Sequence, residues 1–275
     1  MATEFLERDG GRIAYDDTGG AGPLVLCAPG MGDVRGVYRF LTPQLVAAGY
    51  RVVTMDIRGH GESSVPWPDY TPRASGDDMI ALLRHLGAGP AVVVGVSFTP
   101  ASAIWAAAEA PELVAGIVLC APFATDPKLN LIMRAMAGLV GRFPALWARF
   151  YRSLYPTSPP ADLPAYATTL RSNLAEPGRM AALRAMMRAP KAECNDRIVE
   201  VRSPVLIVMG TKDPDFPDPA AEAQLIADRA TDATVVMVEG AGHYPPAERP
   251  DETAAALSPF LSRVAAPGRA SGNAA

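Results

Sequence analysis

Short apolar runs alternate with longer amphipathic stretches along most of the chain. Six runs read as strands: Leu24–Cys27, Arg51–Met55, Ala91–Val94, Ile117–Cys120, Val205–Met209 and Thr234–Val238. They are rich in Val, Ile and Leu and lack polar alternation, as parallel strands covered by helices on both faces should. Two weaker stretches, around Phe5–Leu6 and Arg12–Tyr15, flank Asp9-Gly10-Gly11 and predict an antiparallel edge hairpin. Helical patterns occupy roughly residues 38–48, 73–86, 98–109, 220–230 and 251–264. The prediction is an α/β fold built on a doubly wound, mostly parallel sheet of about eight strands.

Residues 124–200 break this rhythm. Leu129, Ile132, Met133, Met136, Leu139 and Val140 recur at one-face helical spacing, as do Met180, Leu183 and Met187. Pro156, Pro159, Pro160 and Pro164 punctuate the middle. The pattern predicts a helical lobe inserted between the fourth and fifth of the six main strands. The core domain would then comprise residues 1–123 and 201–264, followed by a small, polar, disordered tail at 265–275.

At 275 residues, with 49% hydrophobic and 20% charged positions, the chain has ordinary globular composition and excludes a disordered protein. Its net charge of −4 removes a sequence-wide basic footprint for nucleic acid. The charge is unevenly spread, because residues 124–200 hold 11 Lys or Arg against 6 Asp or Glu. This reads first as solvated surface, and second as a mildly positive lid favouring anionic substrates. Cys27, Cys120 and Cys194 are too scattered for a disulfide framework or zinc ribbon. Met1–Gly10 carries Glu4, Glu7, Arg8 and Asp9 and has no signal-like apolar stretch. Residues 85–108 lack Asp, Glu, Lys and Arg, but Gly87, Gly89, Pro90, Gly95 and Pro100 interrupt them, so a membrane span is not expected. The expectation is a cytoplasmic protein acting on a small molecule, with its oligomeric state left open.

The strongest chemical signal is Val92-Val93-Val94-Gly95-Val96-Ser97-Phe98-Thr99-Pro100, followed by an Ala-rich helical run. A strand enters, a serine follows Gly-x, and a helix leaves: a nucleophile-elbow arrangement. A serine in such a turn can also be a simple N-cap. A serine nucleophile needs an imidazole base, and the histidines are His60, His85 and His243. His85 ends a helix, and His60 lies in the turn Asp56-Ile57-Arg58-Gly59-His60-Gly61, where a structural role is expected. His243, on a Gly-flanked loop beyond the last strand, is the candidate by elimination and position. The carboxylate that would orient it is Asp213, with Asp215 in reserve, both just past a strand end.

With Pro29-Gly30-Met31-Gly32, Asp56-x-Arg58-Gly59-His60-Gly61-x-Ser63, Gly95-x-Ser97, Gly210-x-x-Asp213 and Gly242-His243 in this order, residues 12–264 resemble the α/β-hydrolase superfamily, specifically its lidded serine esterase and cofactor-free haloperoxidase-like group. The resemblance implies an α/β-hydrolase fold with a helical cap. It also implies a Ser97–His243–Asp213 triad and an oxyanion hole made by the backbone N–H groups of Met31 and Phe98. Relatives usually carry His-Gly where Pro29-Gly30 stands, and Gly or Ala where Thr99 stands. Thr99 puts a branched side chain where helix and sheet pack closely, which predicts a slightly altered elbow.

The expected reaction is hydrolysis of a carboxylic ester or lactone, with neither cofactor nor metal. Alternatives are C–C bond cleavage or perhydrolase chemistry by the same triad, and a slow-turnover ligand-binding protein on this fold. An epoxide hydrolase or dehalogenase would require Asp in place of Ser97. Met133, Met136, Trp147, Tyr151 and Met187 are candidate walls of an apolar substrate pocket, or else the lobe's own core. Arg134, Arg149 and Arg152 read as solvated surface, with a substrate carboxylate as the alternative partner.

Overall fold

The apolar runs form eight strands: β1 (Glu4–Arg8), β2 (Gly11–Asp17), β3 (Leu24–Ala28), β4 (Arg51–Met55), β5 (Ala91–Val96), β6 (Val114–Cys120), β7 (Val205–Gly210) and β8 (Ala233–Val238). They are seen in a computed structural model that describes residues 2–126 and 130–265. Leu129 of the sequence pattern and residues 266–275 of the expected tail lie outside the described residues.

One sheet contains all eight strands in the order β1-β2-β4-β3-β5-β6-β7-β8. β1 and β2 pair antiparallel, with Glu4 opposite Tyr15, and β2 pairs antiparallel with β4; the remaining pairs are parallel. The edge hairpin and the parallel core therefore match the sequence expectation. Every residue of β3, β5 and β7 is buried, which is why those strands show no polar alternation.

Alternate strand residues feed two cores. Leu26, Val53, Val93, Ile117 and Ile207 pack on one side with α2 (Pro72–Leu86), α3 (Thr99–Glu109) and α9 (Pro219–Ala227). Val25, Val52, Val94, Val118 and Val208 pack on the other side with α1 (Leu41–Ala47) and α11 (Pro250–Val264). Local signals set these helix ends. Thr71 accepts a hydrogen bond from the Ala74 N–H, Pro72 occupies the first turn, and Gly87 closes α2 in the left-handed conformation. The pattern at 38–48 resolves into a 3-10 turn at Arg35–Tyr38 and the shorter α1.

Between β6 and β7 run α4 (Leu131–Val140), α5 (Pro144–Ser153), α6 (Leu163–Leu174), α7 (Arg179–Arg188) and the short α8 (Ala192–Asn195), without a strand among the described residues. Another short helix, α10 (Pro245–Glu248), precedes α11. Among the described residues, no single helix is long and apolar enough to cross a membrane.

Sequence order reverses at β3, whose neighbours are β4 on one side and β5 on the other. Such a switch point opens a crevice beyond the carboxyl ends of the strands. Ala28 of β3 pairs with Gly95 of β5, so the Pro29–Gly32 loop and Ser97 emerge side by side there.

Candidate active site

Ser97 is buried, with φ of 64°, in the left-handed region that L-residues other than Asn and Asp seldom occupy. The surroundings hold it there. Its N–H donates to the Cys120 carbonyl at 3.0 Å. A Cβ on Gly95 would come within 2.6 Å of the Thr99 backbone, so only glycine permits the chain to fold back this tightly. Thr99 does not disrupt the turn: its hydroxyl accepts from the Val96 N–H at 2.9 Å and lies 3.0 Å from the Ala28 carbonyl, tying β5 to the end of β3. Ser97 thus sits immediately before α3, where the helix dipole favours developing negative charge.

The oxyanion-loop candidate is equally constrained. A Cβ on Gly30 would stand 3.0 Å from Ser97 Cβ and 3.1 Å from the Tyr244 hydroxyl. Gly32 has φ of 70°, and a Cβ there would collide with the indole of Trp147 from α5. The same indole donates from Nε1 to the Gly32 carbonyl at 2.9 Å. Met31, Met180 and Met187 pack around a small core of Trp147, Leu174 and Leu183. Of the residues named as pocket walls, Trp147 and Met187 therefore share a cluster with Met31. Tyr151 is fully buried with its hydroxyl committed to Asp33, whereas Met133 and Met136 are exposed on α4, which has no buried residue.

His243 follows Gly242 on the loop after β8. Its N–H donates to the Leu154 carbonyl at 3.0 Å, and a Cβ on Gly242 would collide with Pro156, so the loop is pressed against the segment following α5. The turn bearing Asp213 is stitched to the same loop, with the Lys212 N–H donating to Ala241 at 2.9 Å. His243 Nδ1 lies 2.8 Å from Asp213 Oδ2 and 3.7 Å from Asp215 Oδ2. An ionised carboxylate only accepts, so Nδ1 carries the proton and Nε2 is the free base nitrogen. Nε2 is buried and has no hydrogen-bond partner among the described residues. Phe123 and Phe216 flank the ring, with centroids 5.9 and 6.3 Å away.

Burial alone would lower the His243 pKa. The charges of Asp213 and Asp215 and the Asp213 hydrogen bond together outweigh it, leaving the imidazole above its ordinary value. Asp215 is itself raised, chiefly by burial, with the Asp213 charge adding to it and His243 opposing. Asp213, Asp215 and His243 offer ligand atoms within 4.8 Å of one another, close enough to share a cation. Asp213 is already engaged on both oxygens, by His243 and by the Asp215 N–H at 3.0 Å, which favours an orienting carboxylate.

His60 also has a buried Nε2 without a partner among the described residues, but it differs at Nδ1. Nδ1 faces the Arg58 carbonyl at 3.1 Å, and burial depresses its pKa to about 4. It is a neutral ring in the turn that holds Arg58 against Asp78 at 2.8 Å. His85 lies in the last turn of α2, edge-on to Tyr15.

Two acidic groups had no signal in the sequence pattern. Buried Glu248 accepts from the Gly242 N–H at 2.6 Å and the Ser158 N–H at 2.9 Å, fastening the His243 loop to the segment after α5. Asp33 directly follows Gly32 and has no solvent exposure. It accepts from the Tyr166 hydroxyl at 2.6 Å, the Val34 N–H at 2.7 Å and the Tyr151 hydroxyl at 2.9 Å. Burial pushes its carboxyl up to about 7 against those donors and the Arg39 charge. Partners contributed by α5 and α6 could not be read from the residues beside Asp33.

Residues 25–256 match the model of the alpha/beta hydrolase family. The chain is 30% identical over 274 residues to 2-(acetamidomethylene)succinate hydrolase of Mesorhizobium japonicum, covering 94% of this chain and 95% of that protein. It is 26% identical over 217 residues to 3-oxoadipate enol-lactonase 2 of Acinetobacter baylyi, covering 78% and 79%. A thermophilic esterase from Thermogutta terrifontis superposes with a TM-score of 0.79 at 25% identity, over 96% of this chain and all of that one. With the eight-stranded sheet and the serine at its switch point, these similarities establish that the chain belongs to the alpha/beta hydrolase family and is a hydrolase.

Proposed function

We propose that the protein is a serine hydrolase that cleaves a carboxylic ester or lactone through an acyl-enzyme on Ser97. One observation carries the reading: His243 is fixed by Asp213 through Nδ1 at 2.8 Å, while its buried Nε2 lacks a partner among the described residues. The Nε2 of His60 is buried and unpaired as well, so the carboxylate on Nδ1 is what distinguishes His243: it raises that imidazole's pKa, whereas burial depresses that of His60.

His243 Nε2 takes the Ser97 proton as the serine oxygen attacks the carbonyl. The N–H groups of Met31 and Phe98 receive the oxyanion, each worth about 2.7–4 kcal/mol of transition-state stabilisation. The alcohol leaves with the proton from His243, and water then repeats the sequence on the acyl-enzyme. Asp213 holds the tautomer and stabilises the imidazolium throughout. The helices between β6 and β7 act as a cap, and Met31 with Trp147 and Met187 forms the apolar acyl side of the pocket. No step requires a cofactor or metal.

A second reading is favoured by the Mesorhizobium relative, whose name specifies a succinate bearing an acetamido group. The same steps would cleave an acyl–nitrogen bond in an acidic substrate, for which the excess of basic residues in 124–200 provides a complementary field.

Time-resolved intact mass with p-nitrophenyl acetate, following nitrophenolate release in wild type and Ser97→Ala, tests the proposal. Sustained release with a transient adduct of one acetyl group, both absent in the variant, is expected. Full esterase activity in Ser97→Ala would overturn it.

A further inference from the structure

A groove of about 660 Å³ lies between α5 and α6, and Arg149, Arg152 and Arg171 line it. None of Ser97, Asp213 and His243 lines it. At 100° per residue, Trp147 and Tyr151 mark the buried face of α5, and Arg149 and Arg152 turn to the opposite side. Arg171 comes from the last turn of α6.

These three arginines share one groove that offers them no counter-charge. Many arginines elsewhere are tied down: Arg8 and Arg58 to Asp78, Arg35 to Asp16, Asp56 and Glu62, Arg51 to Asp17, and Arg197 to Glu109 and Glu200. Arg149, Arg152 and Arg171 make no ion pair among the described residues, and no acidic side chain lines their groove. Asp162, at the start of α6, is gripped by Arg39 through two hydrogen bonds of 2.6 and 2.7 Å. Three like charges around one concavity repel one another, in a chain whose net charge is −4 and where acidic partners are plentiful.

The groove also decides what kind of anion fits. Ser153 donates its hydroxyl to the Phe150 carbonyl and Thr168 donates to Pro164, so the guanidiniums supply the recognition. Their planar forks match phosphate oxygens in pairs, and three of them balance the charge of a diphosphate better than that of a single carboxylate. The volume exceeds what a bare diphosphate needs, and Leu163, Ala167 and Ala148 offer apolar walls to an organic part.

We propose that this groove is a binding site for a soluble small molecule carrying a diphosphate, separate from the Ser97 site and independent of the reaction assigned there. Inorganic pyrophosphate and ADP serve as probes for calorimetric titration of the full chain. Saturable 1:1 binding is expected, weakening steeply between about 50 and 200 mM salt because charge neutralisation drives it. Arg152→Ala and Arg171→Ala should each weaken binding at least tenfold. Arg152→Lys should recover only part of the loss, since it keeps the charge without the fork. Ser97→Ala and Arg202→Ala, remote from the groove, should bind as wild type does, and circular dichroism checks that every variant is folded. Absence of saturable binding, equal weakening by Arg202→Ala, or binding only to phosphatidic-acid vesicles and to neither soluble probe would overturn the proposal.

Discussion

Asp33→Asn tests the coupling between the oxyanion-loop candidate and helices α5 and α6 through the pH dependence of stability. The native carboxyl titrates at about 7 instead of its ordinary 3.8, because it is fully buried between Tyr151 and Tyr166. The fold therefore prefers the protonated acid. Above pH 4 the unfolded chain has released this proton while the native state retains it, so rising pH destabilises the protein until the native carboxyl also ionises near 7. At about 1.4 kcal/mol for each step of one in pKa, the interval corresponds to roughly 4 kcal/mol of stability lost between pH 4 and 7. Asparagine keeps the shape and never ionises. Its mismatch with one tyrosine hydroxyl adds a constant offset of about 1–3 kcal/mol, but no slope. Urea unfolding of both proteins at half-unit intervals from pH 4.5 to 8.5, read by tryptophan fluorescence, isolates the contribution. Wild-type stability minus variant stability should fall across this window and level off above pH 7. Parallel curves would refute the argument, as would a difference that grows with pH, which would mean that the fold prefers the carboxylate.

Other outcomes follow from the same geometry. The acid limb of kcat/KM should lie above the usual histidine value of about 6.5, because the base must be neutral and its pKa is raised. Asp215→Asn should move that limb to lower pH by removing one of the two charges that raise it; an upward move in the pH–rate profile would contradict the assignment. Asp213→Asn should lower kcat by about 10⁴, the size seen when a triad carboxylate is neutralised, with a much smaller loss in Asp215→Asn. Steady-state kinetics that reversed this order would exchange the two roles. Gly32→Ala should destabilise the fold by at least ~1–2 kcal/mol from the left-handed backbone alone, and more from collision with Trp147. A thermal midpoint equal to that of wild type would refute the close approach of α5 and the loop.

The sheet was legible because its evidence is local. β3, β5 and β7 are buried on both faces, so their residues are apolar almost without exception, and the turns between elements carry their own signals. Thr71 and Gly87 mark the ends of α2, and Asp9-Gly10 marks the hairpin between β1 and β2. The Gly-x-Ser turn announced itself for the same reason: Gly95 is required by a backbone four residues away. The pattern at 38–48 was less faithful, since a 3-10 turn and a short helix can present the same apolar side to the core.

The helices between β6 and β7 were where local reading ran out. Apolar spacing announced α4, but could not say that its Met133 and Met136 are exposed while Trp147 on α5 is buried against Gly32. A helix shows an apolar stripe before anything is known of what covers it. Asp33 and Glu248 have unremarkable neighbours in the chain, and their importance comes from hydroxyls and amides more than 85 residues away.

The sequence by itself determined the alternation of strands and helices, the glycine-dependent turns and the set of residue types from which a nucleophile, a base and a carboxylate could be chosen. Only the tertiary structure put Asp213 rather than Asp215 against Nδ1, raised the pKa of His243 while depressing that of His60, and locked Asp33 against tyrosines of α5 and α6. It likewise gathered three unpaired arginines around one groove. The physical reason is range: backbone preference and burial pattern act within a turn or a strand, whereas electrostatics and hydrogen bonding depend on which distant segments the fold brings within a few ångströms.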